Sequence, residues 1–256
     1  MPYGVMNTVL RREPAEALAL ARDLGFDGVE MNLGRDYESN PLWSADGRRS
    51  VVSAAAGAGV AVPSLCLGML NRGGFANDAA TRARARDIVM RAIEAATDVG
   101  AKVLLLPFFG AAEIKDQRGV AQTIEDARAC APTAEAAGVT LGLETTLRAA
   151  DWRQVVEAVG SPAVRVYFDA GNAAWLGYDP AAEARSLAGL LAQVHIKDTA
   201  TKPGDRMLGH GRVDFAAVAH ALREQHYGGW LVLETTAGDD PIQSARQNLA
   251  YLKQLL

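Results

Sequence analysis

Residues 138–170 read GVTLGLETTLRAADWRQVVEAVGSPAVRVYFDA. The run TLGLET (140–145) is β-rich, residues 149–159 have helical apolar spacing, and RVYFDA (165–170) is β-rich again. A strand, a helix and a second strand in this order make a parallel pair joined by a helical crossover. The same unit recurs outward in both directions. Further strands are expected at YGVMN (3–7), GVEMN (28–32), VPSLCL (62–67), KVLLLPF (102–108), QVHIKD (193–198) and WLVLET (230–235), which makes eight. Helical patterns fall between them at 14–24, 46–57, 79–99, 118–137, 180–191, 213–225 and 241–254. Pro14 suits a helix start, and Gly25, Gly59, Gly100 and Gly138 suit helix stops, because glycine adopts the left-handed conformation at little cost.

Eight strands alternating with eight helices predict an α/β fold, a single-domain (β/α)8 TIM barrel over residues 1–256. The length agrees with the roughly 250 residues such a barrel needs. A doubly wound open sheet is the alternative, and it usually carries a glycine-rich phosphate loop after its first strand. Here that strand is followed by NTVLRREP. LGLETT (141–146) recurs as LVLETT (231–236), 90 residues on. At about 30 residues per unit this is three strands, or about 135° around a barrel. Glu144 and Glu234 are thus expected to face each other across its mouth.

Hydrophobic residues at 49% and charged residues at 22% describe an ordinary globular chain. The net charge of −4 and pI of about 5.6, with no long basic run, argue against nucleic-acid or membrane-surface partners. Cys66 and Cys130 lie in no CxxC pair, no signal peptide is expected, and the longest apolar runs are too short to span a bilayer. These features favour a cytoplasmic setting, with a homo-oligomer left open.

Glu144, Asp169, His195 and Glu234 each interrupt an apolar run near a strand's C-terminal end, where barrels of this class carry their active sites. Buried charge there is costly unless it is paired or coordinates something. Three carboxylates and an imidazole carry a net charge near −3, which calls for a divalent cation. Oxygen-rich ligands with one nitrogen suit Mn²⁺ or Mg²⁺, with Co²⁺ or Zn²⁺ as alternatives. Glu144 shares its strand face with small Gly142, and His195 with Lys197. Glu30 and Asn32 end the second strand and point inward, as substrate contacts or structural hydrogen bonds. Cys66 reads as a core thiol, His220 and His226 as surface residues, and Asp151 as a favourable anion in a helix's first turn. Trp175 either walls a pocket or packs. Arg72 is a phosphate contact or a solvated loop charge.

The motifs FDAGN, HIKDT and LGHGRVDF, together with the two LETT strands, resemble the xylose isomerase-like TIM-barrel superfamily of sugar isomerases and epimerases, over roughly residues 20–250. PSLCLG (63–68), the helix at 81–102 and HIKDT (195–199) are most similar to its ketose 3-epimerases, including those of L-ribulose 5-phosphate and L-xylulose 5-phosphate. The resemblance implies that Glu144, Asp169, His195 and Glu234 are metal ligands, with Glu144 and Glu234 also the acid/base pair. It makes Lys197 and Asp198 the polar pair after the ligand histidine. Asn172 stands where several free-sugar epimerases have histidine, and His210 where relatives often have glutamate in a GEG turn. Glu30, Asn32, Asn172, Lys197, Asp198 and His210 are therefore the candidate substrate-binding residues.

The expected activity is metal-dependent epimerisation of a ketose or ketose phosphate at C3 through an enediolate, the two glutamates exchanging protons on opposite faces. An aldose–ketose isomerase or an inosose dehydratase on the same scaffold is the alternative, ahead of a non-enzymatic sugar-binding barrel. A metal-dependent abasic-site nuclease uses a histidine-rich cluster, and this chain has only four histidines.

Overall fold

The computed structural model describes residues 1–235 and 238–255. Thr236, the last residue of the second LETT run, lies outside them. Eight strands close into one parallel barrel in sequence order: β1 (Tyr3–Met6), β2 (Gly28–Asn32), β3 (Ser64–Cys66), β4 (Val103–Pro107), β5 (Thr140–Glu144), β6 (Val164–Asp169), β7 (Leu191–Ile196) and β8 (Leu231–Leu233). The barrel shuts where Tyr3, Gly4 and Val5 pair with Leu231, Val232 and Leu233. This bears out the closure expected from the strand count.

Around it run α1 (Asn7–Leu10), α2 (Pro14–Leu24), α3 (Ala45–Ala58), α4 (Ala79–Val99), α5 (Gln117–Ala137), α6 (Ala149–Val159), α7 (Ala170–Trp175), α8 (Pro180–Ser186), α9 (Phe215–Glu224) and α10 (Pro241–Leu255). Their limits have local causes. In α4 the Asp78 side chain accepts from the Ala80 and Thr81 amides, and Gly100 ends the helix at φ 78°. Its buried stripe is Ala85, Val89, Ala92, Ile93 and Ala96, with Ile88 only half-buried. Among the described residues no helix is long and apolar enough to cross a membrane.

Two short helices, α1 and α7, depart from the sequence pattern. The start of α7 reads as the end of a strand, but the Asp169 side chain accepts from the Asn172 amide and starts a helix at Ala170. The helix expected at 180–191 stops at Ser186, and β7 starts at Leu191, two residues early. These shifts leave Glu144 and Asp169 as the last residues of their strands and His195 as the penultimate residue of β7. Lys197 and Glu234 follow just beyond β7 and β8.

Candidate metal centre

Side chains alternate along a strand, so inward positions recur every second residue. On β7 this directs Gln193 and His195 into the barrel, with Lys197 above them at the mouth. On β6 it directs Tyr167 and Asp169 inward, and on β2 Glu30 and Asn32. The result is a polar layer beneath the mouth and a ligand-like layer at it.

In the upper layer one atom each from Glu144, Asp169, His195 and Glu234 lie within 4.8 Å of one another. His195 Nδ1 stands 3.1 Å from Glu234 Oε2, 3.7 Å from Asp169 Oδ2 and 3.8 Å from Glu144 Oε1. The other ring nitrogen, Nε2, lies 2.8 Å from Glu30 Oε1. A proton on Nε2 satisfies Glu30 and turns the Nδ1 lone pair toward three carboxylates. Only a cation between them, or a second ring proton, makes that arrangement favourable. Nδ1 is buried with no hydrogen-bond partner among the described residues. Asp169 Oδ2 also lacks one, although the Lys197 ammonium is 2.9 Å away in a geometry that makes no hydrogen bond. Two orphaned buried ligand atoms aimed at one point fit a metal ion, and the oxygen-rich set fits a hard divalent one.

Lys197 changes the charge account drawn from the four candidate ligands alone. Its Nζ donates to Glu234 Oε2 at 2.6 Å and is buried. The three carboxylates and this ammonium sum to about −2, the charge that one divalent ion cancels. Burial opposes the ammonium, but Asp169, Glu234 and Glu144 more than offset it and hold Lys197 charged. Burial pushes the Asp169 carboxyl up to about 7 against the pull of Lys197, with Glu234 and Glu144 adding to the rise. Burial also disfavours the Glu234 carboxylate, yet Lys197 and His195 overcome this and hold it well below its usual range. For His195, Glu234 and Glu30 outweigh burial and raise the imidazole well above its ordinary value.

The lower layer is mostly absent from the candidates that the sequence suggests. Glu30 is 0% exposed, and its Oε2 accepts from Ser64 Oγ at 2.5 Å and Tyr167 OH at 2.6 Å. Gln193 Nε2 donates to both hydroxyls, at 2.7 and 2.8 Å. The Tyr167 ring packs against His195 with centroids 4.5 Å apart. Gly142 makes room for it, since a Cβ there would lie 3.1 Å from Tyr167 Cδ2. Ser64, Tyr167 and Gln193 sit at inward positions of their strands, and that alternation is the one signal that could find them.

A cavity of about 580 Å³ opens above the cluster. Of the six candidate substrate-binding residues, Asn32, Asn172 and Lys197 line it. Asn172 Nδ2 also donates to Glu144 Oε1 at 2.9 Å, and the Asn32 Oδ1 is buried without a partner among the described residues. The other three do not line it. Glu30 is sealed beneath His195. Asp198 is fully buried, and its carboxylate accepts from the amides of Thr199, Gly209, Gly211 and Val213 at 2.8, 2.9, 2.8 and 3.2 Å. The LGHGRVDF segment is therefore folded around Asp198, which turns His210 out to solvent. Cys66 is a buried wall of the cavity, and burial, with Glu30 and Glu144 nearby, pushes its thiol well above its ordinary range, as for a packed core thiol. Trp175 is 43% exposed and does not line the cavity.

Comparison with known proteins agrees with this architecture. The family model described as xylose isomerase-like TIM barrel matches residues 18–255. An L-ribulose-5-phosphate 3-epimerase, UlaE, from Escherichia coli is 31% identical over 99% of this chain and 94% of its own. A 2-epi-5-epi-valiolone 7-phosphate 2-epimerase from an Actinoplanes species is 33% identical over 86% of this chain and 81% of its own. A solved structure of an L-ribulose 3-epimerase superposes with a TM-score of 0.83 at 23% identity, covering 99% of this chain and 93% of its own, and so shares the fold.

Proposed function

Because the chain belongs to the xylose isomerase-like TIM-barrel family, we propose that it is a divalent-metal-dependent epimerase acting at C3 of a ketose or ketose phosphate. The observation that carries this reading is the convergence of Glu144 and Glu234, from strands three apart, on the same point as His195 and Asp169. The relatives, named as epimerases of L-ribulose 5-phosphate and of 2-epi-5-epi-valiolone 7-phosphate, support epimerisation as the reaction class.

The ion, with Mn²⁺ or Mg²⁺ the best match to the donors, would supply positive charge to stabilise the oxyanion that develops as a proton leaves carbon. Glu144 and Glu234 take the roles of base and acid on opposite faces of C3, which inversion through an enediolate requires. Asn172 fixes the Glu144 carboxylate through its amide, and Lys197 fixes that of Glu234. Asp169 joins the ligand set through Oδ2 while Oδ1 caps α7. Asn32, with its free carbonyl oxygen, is placed to accept a hydrogen bond from a sugar hydroxyl.

The test is turnover in D₂O with Glu144→Gln and Glu234→Gln. Each variant keeps an oxygen ligand but loses the proton-accepting carboxylate, so turnover should fall about a hundredfold or more while some metal stays bound. Solvent deuterium should enter C3 of the product. Label confined to C1, or near-normal epimerisation by either variant, would favour a 1,2-isomerase instead.

A further inference from the structure

The two LETT runs end β5 and β8 with threonines that do different things. Thr145 Oγ1 accepts from the Leu147 amide at 3.0 Å, a local turn ahead of α6. Thr235 follows Glu234 directly and is 1% exposed. Its hydroxyl proton is shared by two carbonyls of the loop after β7, Arg206 O at 2.9 Å and Gly204 O at 3.2 Å. These bonds are not local, since the partners lie 29 and 31 residues back along the chain.

The loop after β7 is an arch with fixed feet. Asp198 gathers amides at both ends of it, and Arg206 bridges antiparallel to Asp198. The span between is folded on itself, because the Asp205 carboxylate accepts from the Ala200 amide at 2.8 Å and the Thr201 amide at 3.1 Å. Gly204, at φ 73°, supplies the left-handed residue of the reversal. At the apex Thr201, Lys202 and Pro203 are exposed. Pro203 is the one residue of 199–213 that lines the central cavity, which Glu234 also lines. Bonds inside the arch set its shape but not its distance from the metal cluster. Among the described residues, the Thr235 hydroxyl makes the only side-chain hydrogen bonds between residues 200–206 and anything outside the loop.

We infer that Thr235 is a positioning residue for the substrate: its hydroxyl holds the 200–206 arch, and with it the Pro203 wall, in a fixed place relative to the neighbouring Glu234 carboxylate. This deepens the epimerase reading and rests on it for the reaction. A wall already in place spares the substrate the entropy of ordering an exposed loop as it binds. Without the tie, the arch opens as a unit of low local stability while the barrel stays shut. Glu234 has its own anchor, its amide donating to the Ile196 carbonyl at 3.0 Å. Loss of the Thr235 hydroxyl therefore acts on substrate affinity and spares the metal ligands.

Thr235→Val keeps the shape and removes the hydroxyl, and Thr235→Ser keeps the hydroxyl. Trypsin cuts after Arg206, inside the arch, and so reads its opening without any turnover. Loss of the shared hydrogen bond should speed that cut about tenfold in Thr235→Val, and Thr235→Ser should restore the wild-type rate. Mn²⁺ affinity, measured by calorimetry, should be unchanged in both variants. With L-ribulose 5-phosphate as the ketose, Thr235→Val should raise KM about fivefold or more at nearly unchanged kcat, the pattern of lost binding rather than lost chemistry. A wild-type cutting rate in Thr235→Val, or faster cutting with KM unmoved, overturns the inference. So does a fall in kcat together with loss of Mn²⁺, which would place Thr235 in the support of Glu234 instead. Wild-type protein that exchanges no C3 proton of any ketose would remove the epimerase reading, while faster cutting in Thr235→Val would still establish the tie between Thr235 and the arch.

Discussion

At the scale of single residues, Glu30 shows how position outranks identity. A carboxylate ending an inward-facing strand resembles a substrate contact, yet it lies one layer too deep and holds His195 Nε2. Partners of this kind orient a ligating imidazole, and their loss typically costs ten- to a hundredfold in metal affinity. Glu30→Gln should weaken divalent binding on that scale in a calorimetric titration, while Asn32→Ala, above the ligand layer, should leave it unchanged. Equal affinity in Glu30→Gln and wild-type protein would remove Glu30 from the positioning of His195. Asp198 illustrates the same point. The polar pair after His195 is split, Lys197 turning into the site and Asp198 away from it to gather the amides of the 209–213 loop.

At the scale of elements, α7 is the piece on which the site depends most. Its start is packed against the end of β7 so closely that any Cβ at Gly171 would collide with Lys197 Cγ and with the Lys197 carbonyl. The glycine of FDAGN is therefore a requirement of packing. Gly171→Ala should cost about 1–3 kcal/mol through overpacking and should also weaken metal binding, because Asp169, Asn172 and Lys197 move together. Gly57→Ala is the matching control. Gly57 is an exposed residue in the last turn of α3, and a Cβ added there would meet nothing within 4 Å. Alanine at that position should therefore stabilise by about 0.5–1 kcal/mol. Chemical denaturation of the two variants checks both signs, and equal effects would mean that the contact with Lys197 is relieved cheaply.

At the scale of the whole molecule, the closed barrel joins the four proposed ligands from the ends of β5 to β8, the first and last 90 residues apart in sequence. Metal binding should therefore act as a clasp on the folded state alone. A ligand at a hundred times its dissociation constant adds about 2.7 kcal/mol by mass action. The melting temperature should rise with Mn²⁺ concentration in the wild-type protein and be restored by a chelator. In His195→Ala the rise should be largely lost, and a full rise in that variant would mean that the ion binds elsewhere.

Much of this is legible in the chain itself. Alternating β-rich and helical runs predict the closed eight-strand barrel, because backbone hydrogen bonding and apolar periodicity are local and repeat in every unit. Four ionisable residues at strand ends stand out because charge inside an apolar run is costly wherever the run folds. The limits of α7 and β7 are not legible, since the Asp169 cap outweighs the local strand pattern. Nor are the roles of Glu30, Lys197 and Asp198. Each depends on which layer of the barrel a side chain enters and on partners as far as 165 residues away. Depth is set by register and strand tilt around the closed barrel, quantities that no single run of sequence contains.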